Sequence, residues 1–241
     1  GTPILPIYST FLQRAYDQII NDLCINNSNA LILVYRASIY GNKDMTHLGF
    51  NDITMLGNMP NLMYLAPTTV EELESSIRYG LEHHNHPIAI RIPVGVPISD
   101  TAQSNTIDNP VTSYDITQSG NTIAIIGVGN FYHKAVELSH AIHESTHISP
   151  TIVKPLCISS LDTDTLNELT KDHHIVITLE DGELEGGYGQ KIASYYGKTS
   201  MKVLNYGISK QFYDRYKPED VLQQNHLDFE HILDDIRNVQ H

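Results

Sequence analysis

The run Ile4-Leu5-Pro6-Ile7-Tyr8-Ser9-Thr10-Phe11-Leu12-Gln13-Arg14-Ala15-Tyr16 passes from a strand pattern to a helix pattern without a break. Ile4 to Tyr8 reads as a strand, and Ser9 or Thr10 is placed to cap a helix whose apolar positions are Leu12, Ala15, Tyr16, Ile19 and Leu23. Ala30 to Tyr35 is then a continuous apolar run, suited to a strand buried on both faces of a parallel sheet. A polar loop from Arg36 to Asn51 precedes another strand at Leu62 to Ala66. Pro67-Thr68-Thr69 opens a helix with Glu71 and Glu72 in its first turn, where the dipole favours acids, and Pro87 to Ile92 closes the series. This is a β-α-β-α-β progression, the pattern of a parallel sheet covered by helices.

The alternation resumes farther along. Thr122 to Val128, Thr151 to Lys154, Ile175 to Leu179 and Lys202 to Asn205 read as strands. Helices are expected near 130–146, 163–172 and 187–197, with one or two more after Pro218. The stretch between the two halves is rich in Pro, Ser, Thr, Asn and Asp, and reads as a connector with room for a short strand. The expectation is two mainly parallel, three-layer α/β domains over 1–97 and 121–241, joined by a linker over 98–120. The first shows three clear strands and a bare sheet edge near its start, so a preceding segment or a partner is expected to cover it.

Composition narrows the class. A formal charge of −13 over 241 residues argues against nucleic acid, whose phosphates demand a basic surface. No stretch has the apolar length of a membrane span. Cys24 and Cys157 stand far apart and form no disulfide framework, which fits a reducing cytoplasm. Gly1-Thr2-Pro3 leads straight into the first strand with no signal peptide, and the absence of an initiator Met leads to the expectation of a processed or shortened chain.

In an open parallel sheet, ligands collect where strand carboxyl ends meet loops and helix N-termini. Three such loops carry chemistry: one with Tyr8, Phe11 and Arg14, one with Arg36, Lys43, Asp44 and His47, and one beginning at Arg91. Together they offer an aromatic platform, an imidazole that exchanges protons near neutral pH, and cations for a phosphate or carboxylate. On pattern alone, core packing of Phe11 and solvation of the arginines explain the same residues.

The stretch Tyr8 to Gln18 resembles the segment by which 1-deoxy-D-xylulose-5-phosphate synthases, members of the transketolase-like family, meet the pyrimidine ring of thiamine diphosphate. Arg36-Ala37, Gly41, Thr46-His47 with Gly49, Pro60-Asn61, Ala66-Pro67 and Ala89-Ile90-Arg91-Ile92-Pro93 follow in the family's order. Leu179-Glu180, Gly186-Gly187-Tyr188-Gly189 and Asn205-Tyr206-Gly207 resemble landmarks of the transketolase C-terminal domain. The resemblance implies an incomplete pyrimidine-binding domain followed by a C-terminal domain. It also implies that Phe11 stacks on the pyrimidine beside Tyr8 and Arg14, that His47 is catalytic, and that Arg36, Arg91 and Lys43 bind a small phosphorylated substrate. The implied reaction decarboxylates pyruvate and adds the two-carbon unit to glyceraldehyde 3-phosphate, in isoprenoid precursor synthesis.

The implied cofactors are thiamine diphosphate and Mg. The family's catalytic glutamate and its diphosphate- and magnesium-binding domain precede the Tyr8 strand. The resemblance therefore implies a partner region or separate subunit, a homodimer, and inactivity of this chain alone. A transketolase-like enzyme with another acceptor, and a non-catalytic assembly module, are the alternatives. Several positions depart from the family. Lys43 stands where an acid precedes the histidine by four positions, Leu48 replaces a glutamine, and Ile92 and Val94 replace a tyrosine and a second arginine.

Four other motifs compete. His143-Glu144-Ser145-Thr146-His147 matches a zinc-protease pattern, yet falls at a helix end close to Pro150. Gly127-Val128-Gly129 hints at a dinucleotide site, but Tyr132 occupies the third glycine position, which favours a tight strand-helix turn. His83-His84 and His173-His174 read as helix caps, and Gly186, Gly187 and Gly189 either cradle an anion or allow close packing.

Overall fold

Each half of the chain builds its own sheet in the computed structural model, which describes residues 1–39, 44–82, 85–95, 98–99 and 114–240. The first sheet comprises β1 (Ile4–Tyr8), β2 (Leu31–Tyr35), β3 (Met63–Leu65) and β4 (Ile88–Arg91), in the order β1-β2-β4-β3, all parallel. The four strands fall within the four segments read as strands at 4–8, 30–35, 62–66 and 87–92. β1 pairs with β2 along its whole length, from Ile4 beside Leu31 to Tyr8 beside Tyr35. Its other edge pairs with no described strand, and Ile4 and Leu5 are exposed.

The helix expected after β1 forms, but not as one regular α-helix. It begins as a 3₁₀ segment, Ser9–Ala15, passes through α1 (Tyr16–Gln18), and ends as a π-helical stretch, Ile19–Cys24. Three residues per turn at one end and a wider turn at the other shift the buried face. Leu12, Ile19 and Cys24 point inward, while Tyr16, expected in the core, is exposed. Neither hydroxyl caps the helix. Ser9 Oγ donates to the Arg36 carbonyl at 3.0 Å, and Thr10 Oγ1 to the Thr46 carbonyl at 3.1 Å. Both side chains therefore tie this segment to the loop that carries His47.

α2 (Asp52–Leu56) and α3 (Val70–Glu82) complete the first half. At the entry to α3, Thr69 Oγ1 accepts from the Glu72 N–H at 3.2 Å, and Glu72 accepts from the Thr68 N–H at 2.7 Å. That pairing satisfies one donor of the first turn, the Glu72 N–H, and the Thr68 N–H just ahead of it.

The second sheet holds β5 (Asp115–Gln118), β6 (Thr122–Gly127), β7 (Thr151–Lys154), β8 (His173–Glu183) and β9 (Lys202–Ile208), in the order β5-β7-β6-β8-β9. β5 lies in the stretch read as a connector and is the antiparallel edge; the other pairings are parallel. α4 (Phe131–Thr146), α5 (Thr163–Asp172), α6 (Tyr188–Tyr196), α7 (Pro218–Gln224) and α8 (Phe229–Gln240) surround it.

The two halves share one apolar core, which runs from Ile32, Val34 and Tyr64 to Ala124, Ile126 and Tyr188. Backbone bonds cross the seam as well. Ala66 N–H donates to Leu156 O, Ile158 N–H to Tyr64 O, and Glu183 N–H to Phe50 O, each at 2.8 Å. Residues 156–158 thereby cover the β3 edge. β8 outruns its expected end at Leu179, and the extra residues carry Glu180, Asp181 and Glu183 to the seam.

Candidate functional site

Where β1 ends, the turn into the 3₁₀ segment leaves Phe11 36% exposed, unusual for a side chain so apolar. Tyr8 meets its edge at a ring separation of 5.7 Å, and His47 meets it at 5.5 Å with the planes 72° apart. The Arg14 guanidinium lies 5.9 Å from the ring centre. Phe11 is therefore flanked by two rings and a cation, yet not covered. It opens on a cleft of about 1000 Å³ between the two halves of the chain. Phe11, Arg14, Met45, His47 and Phe50 line one wall, and Glu183, Ser209, Lys210, Gln211 and Phe212 line the other.

His47 ends a short 3₁₀ turn, Met45–His47, that Asp44 caps. The Asp44 carboxylate accepts from the Thr46 N–H at 3.1 Å and from Thr46 Oγ1 at 2.5 Å, and its Oδ1 lies 3.2 Å from His47 Nδ1. The bonds from Thr46, then the one from His47, hold the Asp44 carboxyl below the ordinary carboxylate pKa. Nδ1 also lies 2.7 Å from Thr46 Oγ1, so a hydroxyl and a carboxylate together orient the ring through this nitrogen. Asp44, one position after Lys43, thus reaches His47. Lys43 and Gly41 themselves lie outside the described residues.

The remaining expected site residues point elsewhere. Arg36, in a left-handed conformation with φ 53°, sets its guanidinium 5.4 Å from the Tyr8 ring centre. Arg36 and Tyr8 line a separate recess of about 190 Å³ beside β1 rather than the main cleft.

Arg91, expected to grip a substrate phosphate, is 2% exposed at the seam. Its Nε donates to Asp52 Oδ2 at 2.7 Å and its Nη1 to Asp181 Oδ1 at 2.5 Å. Tyr64 donates its hydroxyl to the same Asp52 carboxylate, and Asn130 Nδ2 donates to Asp181 Oδ2 at 2.9 Å. Burial opposes the Arg91 charge, but Asp181 and Asp52 outweigh it and raise the guanidinium pKa well above its ordinary value. Two carboxylates bind this fork from opposite sides of the seam. Gly129, at φ 53°, makes room for it: a Cβ there would lie 3.2 Å from Nη1.

The glycine-rich run before α6 does cradle an anion, and the anion is internal. Glu180 accepts from the Tyr188 N–H at 2.9 Å and the Gly189 N–H at 2.8 Å, at the positive end of the helix. Burial outweighs those two bonds and pushes the Glu180 carboxyl up to about 7.

The competing motifs dissolve. α4 stops at Thr146, and His147 is a left-handed cap at φ 60°, so His143 and His147 do not share a helix face. Among the described residues no group of three or more His, Cys, Asp or Glu is placed to hold a metal ion. A Cβ at Gly127 would fall 2.7 Å from the Tyr132 Cα, which makes this turn a packing contact. His173 follows α5 and bonds the Leu169 carbonyl through Nδ1 at 3.0 Å, with burial lowering its pKa. His83-His84 lies outside the described residues.

Sequence reasoning missed the second wall of the cleft. Ser209 to Phe212 follow β9 as a polar stretch with no motif, and only the tertiary fold sets them opposite Phe11. Phe212, 82% exposed, was the one visible signal: an aromatic directly after Lys210 and Gln211.

Comparison with known proteins agrees with this layout. Residues 2–96 match the family model of the transketolase pyrimidine binding domain, and residues 113–232 that of the transketolase C-terminal domain. Among curated proteins, the chain is 33% identical to a 1-deoxy-D-xylulose-5-phosphate synthase of Clostridium tetani (strain Massachusetts / E88), over 98% of its own length and 38% of the relative's. It is likewise 33% identical to that of Gloeothece citriformis (strain PCC 7424), over 97% and 37%. The chain thus spans under two fifths of these relatives. Among solved structures, a split gene transketolase described as an inactive beta4 tetramer superposes with a TM-score of 0.84 at 19% identity, over 99% of this chain and 76% of that one. A transketolase from Pichia stipitis in complex with fructose 6-phosphate gives 0.74 at 12% identity, over 98% and 33%.

Proposed function

The chain belongs to the transketolase family, of which it carries the pyrimidine-binding and C-terminal domains, and from that premise we propose that it forms part of a thiamine-diphosphate-dependent transferase of the 1-deoxy-D-xylulose-5-phosphate synthase kind. In this reading the enzyme decarboxylates pyruvate and adds the two-carbon unit to glyceraldehyde 3-phosphate. The observation that carries it is the open face of Phe11 at the cleft, flanked by Tyr8, His47 and Arg14.

The residues present fit the pyrimidine half of the cofactor. A flat heteroaromatic ring gains from an uncovered π face, and Phe11 offers one beside Tyr8 and Arg14. When bound, thiamine diphosphate supplies the electron sink that lets a 2-oxo acid lose carbon dioxide. The chain's own residues do the rest. Phe11 orients the cofactor ring, and His47, with Nδ1 held by Asp44, exchanges protons at Nε2 with the reacting oxygens.

The diphosphate and Mg are held by a domain within the part of the relatives that this chain does not span, on the same polypeptide or a separate subunit. The cleft alone grips one end of the cofactor, so catalysis requires that domain. A homodimer in the cytoplasm completes the proposal.

The test is reconstitution: this chain, joined to or mixed with the diphosphate-binding domain, given Mg, thiamine diphosphate, pyruvate and glyceraldehyde 3-phosphate. Release of carbon dioxide coupled to a five-carbon sugar phosphate supports the reading. Cofactor binding with no turnover of any 2-oxo acid would point to an assembly module.

A further inference from the structure

Among the described residues, the cations expected for the acceptor lie away from the cleft: Arg91 binds Asp52 and Asp181, and Arg36 turns to the Tyr8 recess, while Val94 stands where a second arginine was expected. Among the described residues lining the cleft, Arg14 and Lys210 carry permanent positive charge. Arg14 stands exposed on the aromatic wall, its guanidinium 5.9 Å from the Phe11 ring centre. Lys210 stands on the opposite wall, 65% exposed, with Ser209 and Gln211 as neighbouring hydrogen-bonding groups.

Resting on the transferase reading above, we propose that Lys210 of the second domain grips the anionic group of the acceptor and sets the preference for phosphorylated aldehydes. The ammonium is available for that task. Its partner is Glu185, 3.2 Å away, and both side chains are largely exposed. Such a surface pair is weak, and a phosphate readily takes over its cation. Ammonium is a compact point charge suited to one end of a mobile substrate. Its field already reaches into the cleft, where it favours the charged form of the Glu183 carboxyl against burial. A polar wall of Ser209, Lys210 and Gln211 facing an aromatic wall matches a ligand with a hydroxylated, anionic end and a reactive carbonyl end.

The experiment compares wild type, Lys210→Gln, Lys210→Arg and Glu185→Gln in the assembled enzyme, with glyceraldehyde 3-phosphate and unphosphorylated glyceraldehyde as acceptors. Lys210→Gln is expected to raise KM for the phosphorylated acceptor about tenfold while leaving KM for pyruvate and the neutral acceptor unchanged. Lys210→Arg should restore most of the affinity, and Glu185→Gln should lower KM by releasing the ammonium. Normal pyruvate turnover with equal acceptor KM in wild type and Lys210→Gln overturns this proposal and leaves the transferase reading intact. Absence of pyruvate turnover in the wild type overturns the transferase reading instead. In that case protection of Lys210 from acetylation by glyceraldehyde 3-phosphate still reads the anion site: protection supports it, and equal labelling removes it.

Discussion

Arg91 and Asp181, 90 residues apart in sequence, form a buried ion pair across the seam between the two domains. Asp52 binds the same guanidinium, so one cation joins a strand end and a helix of the first domain to a strand of the second. The cleft depends on this joint, because Phe11 and His47 lie on one side of the seam and Glu183 and Lys210 on the other.

Removing one member of such a buried cluster strands the other charges. Arg91→Ala is therefore expected to cost about 3–5 kcal/mol of stability, read by urea unfolding. A variant of unchanged stability with weakened acceptor binding would return Arg91 to the substrate.

Glu180 sets a pH dependence. Its carboxyl is raised to about 7 in the folded chain, above the ordinary value near 4.5, so the folded state keeps a proton that the unfolded state releases. This group's contribution is complete below about pH 4.5 and is lost as pH rises through about 7, with a total on the order of 3 kcal/mol. Thermal unfolding from pH 5 to 8 should show stability falling over that interval, and Glu180→Gln should flatten the curve. An equal slope in both proteins would refute the assignment.

The cradle around Glu180 tolerates no side chain. A Cβ at Gly189 would lie 2.5 Å from Thr178 Oγ1, and one at Gly187 would lie 2.6 Å from Glu180 Oε2. Gly189→Ala is expected to cost about 1–3 kcal/mol, whereas Gly197→Ala, whose nearest atom is 3.3 Å away, should cost far less. Equal losses, measured side by side in denaturant, would contradict this account.

The layout of the fold was written plainly in the chain. Continuous apolar strands such as Leu31–Tyr35 and helices begun by Thr69 or Asp162 follow local rules, and they formed where those rules place them. The joint was less legible. Nothing near Arg91 in sequence reveals that its partners are Asp52 and Asp181, and a lone arginine at a strand end reads as a ligand group. The phase of the first helix also escaped, because periodicity assumes a single helical pitch and this helix uses three. At the site, Phe11 and His47 were visible as residue types in ligand-bearing loops, whereas the reach of Asp44 to His47 depends on a turn only three residues long.

The most direct test of the central claim is the affinity of the assembled enzyme for thiamine diphosphate with Phe11 and with Phe11→Ala, measured by calorimetry beside a melting curve. Loss of one aromatic face should weaken binding about tenfold while the melting temperature holds. Equal affinity in the two proteins would show that the ring of the cofactor rests somewhere other than on Phe11.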